Sequence, residues 1–224
     1  MRSRGRSTLA ALVTSVVLVT AISSCAPVEP VEPVEPVTTY SARDCVDLLG
    51  VVTYDYDPVP SPSALAEQSR LVVTGMVDRV QEGRVEIVPG NENAPVGSTM
   101  VLVLRDPEAV LGDFSEGSDG FVYVELPAPP ALQDADAYQD GPCTGASVVA
   151  YLTPASDGAP VEGVDIAIED PQAGRPAGQA LYIPAGPQAL ILQYDDEAVV
   201  WPLTGEKREG SLADTLPDGT LIAP

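Results

Sequence analysis

The chain contains no histidine. That excludes every mechanism built on imidazole: Ser-His-Asp and Cys-His nucleophile pairs, His-ligated zinc and a histidine general base. Basic charge is also scarce. Eleven Lys and Arg stand against 33 Asp and Glu, a net charge of −22, and Lys207 is the only lysine. A field of that sign repels a duplex and an anionic membrane surface, so nucleic-acid binding is not expected. Aromatics are few, with one Trp, two Phe and eight Tyr. After the N-terminal segment no apolar run is long enough to cross a bilayer as a helix, which takes about 20 residues. Glycine-rich phosphate loops, Walker sequences and dinucleotide fingerprints are missing too.

What is present begins at the N-terminus. Arg2, Arg4 and Arg6 make a positive region, and Thr8–Ile22 is an uncharged, mostly apolar stretch. Its length fits a signal segment and falls short of a spanning helix. The run Ile22-Ser23-Ser24-Cys25 closes it and resembles a bacterial lipobox. The resemblance implies lipidation of the Cys25 thiol, cleavage just before it, and attachment to the outer face of the cytoplasmic membrane. The plainer readings are an ordinary signal peptide cut nearby or a short uncleaved anchor. Removing residues 1–24 takes three of the 11 basic residues and none of the 33 acidic ones, leaving a net charge of −25. The carboxylates are scattered, so solubility explains them more simply than a cation site or a cationic partner. The abundance of Val, Ala, Pro and Asp with almost no Lys suits an actinobacterial-type lipoprotein.

Residues 25–39 read as a tether. Val-Glu-Pro repeats three times between Val28 and Pro36. Proline at every third position forbids helix and favours extended polyproline II. Residues 40–224 read as a single acidic β-rich domain. With Cys25 lipidated, Cys45 and Cys143 are the remaining pair in an oxidising compartment, and a disulfide between them is expected.

Short strands at turn-bounded intervals predict a mainly β fold, an antiparallel barrel or a sandwich with one or two short helices. Expected strands are Val51–Tyr56, Leu71–Val80, Arg84–Val88 after a hairpin turn at Gln81-Glu82-Gly83, Thr99–Leu104, Phe121–Leu126, Ala146–Leu152 and an edge strand over Gly163–Glu169. Ala189–Tyr194 and Ala198–Trp201 flank a tight acidic turn. Ser61-Pro62 caps a short helix, Asp106–Gly112 fits one helical turn, and Glu206–Glu209 reads as a charged turn. The opening Leu65-Ala66-Glu67-Gln68-Ser69-Arg70-Leu71-Val72-Val73-Thr74-Gly75-Met76-Val77 resembles the start of small exported OB-like barrel domains. There a glycine in the first long strand permits a sharp bend. The likeness covers about residues 60–155 and implies a fold, not a function.

Chemistry is sparse. Calcium suits an acidic chain without histidine, and Asp134, Asp136 and Asp140 form the best local group, yet their segment fails the EF-hand pattern. No metal and no cofactor is expected. A carboxylate pair acting on envelope polymers remains as an enzymatic alternative, with nothing to choose two acids from 33. A Ser-Lys dyad would need Lys207, which reads as solvated. Trp201 and Tyr182 line a groove or, for a lone tryptophan more simply, fill the core. The expectation is a lipid-anchored, extracytoplasmic, non-enzymatic binding or accessory protein. Its partners would be the membrane, through Cys25, and an envelope protein or cell-wall ligand, the former docked by strand addition at an open sheet edge.

Overall fold

The computed structural model describes residues 42–49, 55–90, 95–129, 143–156 and 166–224. These belong to one compact unit, Thr38–Pro224. The lipobox with Cys25, the tether, the run 51–54 and the aspartates 134, 136 and 140 lie outside the described residues.

The fold is mainly β. Two short helices, α1 (Ala42–Leu49) and α2 (Pro62–Glu67), precede β1 (Leu71–Ile87), β2 (Pro95–Leu111), β3 (Val122–Pro127) and β4 (Ser147–Pro154). Then follow β5 (Ala167–Ile168), β6 (Leu181–Pro184), β7 (Leu190–Asp195), β8 (Ala198–Trp201) and β9 (Glu206–Glu209). The strand order is β5-β1-β2-β3-β6-β4-β7-β8-β9, and β4 also pairs with β1. All pairings are antiparallel except β3–β6.

Helix α2 forms as its sequence directs. The Ser61 hydroxyl accepts the Ala64 N–H at 3.1 Å, and Pro62 occupies the first turn, where its missing donor costs nothing. The acidic hairpin also holds, with β7 and β8 joined across Asp196-Glu197. Several local expectations fail. No turn occurs at Gln81-Glu82-Gly83; β1 runs straight through it, and β2 pairs along its whole length. Gly83 instead lets two backbones crowd, since a Cβ there would sit 2.9 Å from the Thr99 carbonyl carbon. The register slips between Glu82 and Val85, and the Arg84 N–H donates to Thr99 Oγ1 at 2.6 Å, so the irregularity is a bulge. Asp106–Gly112 is not helical either. Pairing of Val72, Val73 and Thr74 with Leu111, Ala109 and Glu108 draws the segment into β2, and Asp106 absorbs the kink at φ 50°. Glu206–Glu209 is not a turn but β9, paired with β8. The edge strand near residue 168 shrinks to two described residues, and Asp55 and Tyr56 are outside any strand.

The middle of β2, Met100–Leu104, reads as apolar throughout because both of its faces are covered. Met100, Leu102 and Leu104 enter the main core with Val73, Val77, Val124 and Val148. Val101 and Val103, on the other face, pack with Tyr123 and Leu181. Val72, Val149, Tyr151, Ile191 and Trp201 build a further cluster with Leu65 of α2. Cys45 of α1 is joined to Cys143 just ahead of β4, with Cα atoms 4.5 Å apart and a separation of 98 residues. The expected disulfide is therefore present, and both cysteines are fully buried.

Candidate functional site

The parallel pairing of β3 with β6 lasts two residues, Tyr123↔Leu181 and Val124↔Tyr182. Beyond that point β6 follows β4, with Ile183 opposite Thr153 and Pro184 opposite Leu152. A groove of about 390 Å³ is lined by Thr99, Glu125, Leu126 and Pro127 together with Ile183, Pro184, Gly186, Pro187 and Leu203. Three prolines, Pro127, Pro184 and Pro187, fix φ at their own positions in this lining. Its lining is aliphatic apart from Thr99, Glu125 and backbone, a composition that takes apolar groups.

Among the described residues Glu125 brings the one charge to the lining, and that charge is fully engaged. Arg84 Nε donates to Glu125 Oε1 at 2.7 Å, and Arg84 Nη2 pairs with Oε2. The Thr99 hydroxyl donates to Oε1 at 2.8 Å, and Arg84 Nη1 donates to the Ser156 carbonyl at 2.7 Å. The Arg84 and Glu125 side chains are 5% and 6% exposed. A two-pronged guanidinium–carboxylate pair is the strong form of such a contact, and its satisfied lone pairs are what make burial tolerable. Arg175 lies nearby; burial first, then the charge of Arg84, push its guanidinium below its ordinary range. Arg175 Nε donates to the Gln179 carbonyl at 2.8 Å. Chemically, the groove offers a neutralised carboxylate rather than a free acid or base.

The residues singled out in the sequence fall elsewhere. Trp201 is fully buried in the cluster beneath α2, and its indole N–H finds no acceptor among the described residues. Tyr182 is buried, its hydroxyl 3.1 Å from Ser115 Oγ. Neither lines the groove. Lys207 is half exposed, with Nζ 3.2 Å from Asp195 Oδ2 and 3.6 Å from the centroid of the Tyr194 ring. The Glu197 backbone N–H, and after it Lys207, hold the Asp195 carboxyl below the usual carboxylate range. Among the described residues no group of three His, Cys, Asp or Glu could hold a metal ion. Thr99, Arg84 and Glu125 were not legible as a site. The available signal was Glu125 itself, a lone charge inside the apolar run Phe121–Leu126.

No family model, no curated protein and no solved structure matches this chain.

Proposed function

We infer that the protein is a lipid-anchored, extracytoplasmic binding module whose groove between β3 and β6 takes an apolar group, carried on an OB-like barrel. The barrel reading rests on a circuit of pairings, β1 to β2 to β3 to β6 to β4 and back to β1. A bend is supported at Gly75, where the register slips and a Cβ would stand 3.1 Å from the Arg105 carbonyl. The anchor reading rests on Ile22-Ser23-Ser24-Cys25 and the Val-Glu-Pro tether, which would place the domain on the outer face of the cytoplasmic membrane.

The observation that carries the binding reading is an aliphatic groove with its carboxylate held by Arg84. This favours binding over the carboxylate-pair hydrolase, because that chemistry needs a second acid and a proton free to move. Binding is tested with an uncharged naphthylamine dye. Its fluorescence should rise with the native chain and fall to baseline with Ile183→Asp, a half-exposed position whose change spares the core. Equal enhancement by both proteins removes the groove reading. The anchor is tested separately: Cys25→Ser should release the protein into the medium, and retention in the envelope fraction refutes it.

A further inference from the structure

β2 is longer than its neighbour on one side. Its partners on β3 are Thr99 to Leu104, after which β3 has ended at Val122, whereas β1 continues to pair with β2 as far as Leu111. The stretch Arg105–Leu111 thus has β1 on one side and no strand on the other among the described residues. Glu108, Ala109, Val110 and Leu111 are all exposed, and Val110 and Leu111 are among the most exposed large apolar residues described, at 44% and 42%. The loop from Gly112 to Phe121 hydrogen-bonds within itself and to Tyr123, Gln179 and Tyr182, and none of those bonds reaches the β2 edge.

We propose that Glu108–Leu111 is a strand-addition site for an extended segment of another protein that alternates apolar and basic residues. An unpaired strand edge is satisfied by main-chain donors and acceptors of an extended chain, which selects the conformation of the occupant. Val110 is the extra residue of a bulge, since Val72 pairs with Leu111 and Val73 with Ala109, and Val110 and Leu111 supply the apolar contacts. Its charge is selected by the surroundings: Asp106 and Glu108 within Arg105–Leu111, with Asp113 and Glu116 just after it, outnumber Arg105 and the neighbouring Arg70, and Arg105 is already paired with Asp106 at 2.9 Å. The same charges turn away a second copy, whose own acidic edge would be laid against this one on a chain of net charge −22. Pro107 lacks a donor and Asp106 has left-handed backbone, so docking stops at Glu108 and the footprint is small. The other ends of the sheet lack these properties. β5 has two residues, and β9 reads Glu-Lys-Arg-Glu, with both signs of charge and no apolar side chain.

The test uses the full-length chain in detergent micelles with its disulfide closed. The probes are a synthetic peptide alternating valine and lysine and a counterpart alternating valine and glutamate. The lysine peptide should bind, slow hydrogen exchange in the segment 105–113, and weaken with added salt; the glutamate peptide should do none of these. Val110→Ser with Leu111→Ser, which removes the apolar contacts without adding charge, should weaken the lysine peptide by at least about tenfold while leaving the thermal melt in place. Binding without protection of 105–113, equal binding of both peptides, or unchanged binding by the double variant overturns the proposal. So does protection of this segment by self-association in the absence of peptide.

Discussion

Two ion pairs in this protein have the same charges and opposite settings. Arg84–Glu125 is almost sealed from water and braced by Thr99 and the Ser156 carbonyl. Lys207–Asp195 sits on the hairpin and edge strand with both side chains about half exposed, 45% and 50%. In the first pair each charge depends on the other, because desolvation has removed the alternative of water. In the second, water and salt replace either partner at little cost. The difference teaches that the structural weight of a pair is set by what surrounds it rather than by its distance.

The contrast can be broken at its strong end first. Glu125→Ala leaves a buried guanidinium without its counter-charge and should cost about 3–5 kcal/mol, read as a lowered urea midpoint. Replacing both partners with apolar residues of similar size, Arg84→Met with Glu125→Leu, should recover much of that loss. If the double variant is as unstable as the single one, the weight lies in packing rather than charge. Thr99→Val should cost less, about 1–3 kcal/mol, by removing one donor to the carboxylate and the acceptor for the Arg84 N–H.

An intermediate case sharpens the comparison. The Tyr123 hydroxyl donates to Asp119 Oδ2 at 2.6 Å, and burial, followed by that bond, pushes the phenol up to about 12. A raised folded value means the folded state holds its proton after the unfolded chain has released it. Stability from this group is therefore complete below pH 10 and is lost as pH rises from 10 towards 12. Absorbance titration should find late-ionising tyrosines, with Tyr151 raised by burial as well as Tyr123, and Asp119→Asn should move one of them downward. At the weak end, Lys207→Ala should leave the thermal midpoint unchanged within error. Asp195 should still titrate below an ordinary carboxylate, because the Glu197 N–H is the larger cause. Its contribution, present above the unfolded value, is lost as pH falls through the folded one, and an NMR titration of the variant reads this directly.

Legibility from sequence follows the range of the interaction. The α2 cap, the acidic hairpin and the core role of Trp201 are set by residues near one another or by hydrophobicity alone, and each was readable. The disulfide was readable by elimination, once Cys25 was assigned elsewhere. The turn expected at Gly83 that does not form and the unforeseen extension of β2 have a common cause: Thr99 and Val72–Thr74, remote in sequence, decide them. A glycine that lets backbones approach and a glycine that turns a chain look identical in one dimension. The groove was hidden for the same reason. Its walls meet only after β3 and β6, over 50 residues apart, have paired and parted.

The Cys45–Cys143 bond has a mechanical consequence. β1, β2 and β3 all lie within the covalent loop that it closes. Tension applied between the two ends of the chain bypasses that loop, so these strands cannot be drawn out lengthwise while the bond survives. Roughly 330 Å of contour, at about 3.4 Å for each of the 98 residues, is withheld from stretching. Only reduction of the sulfur link would release it.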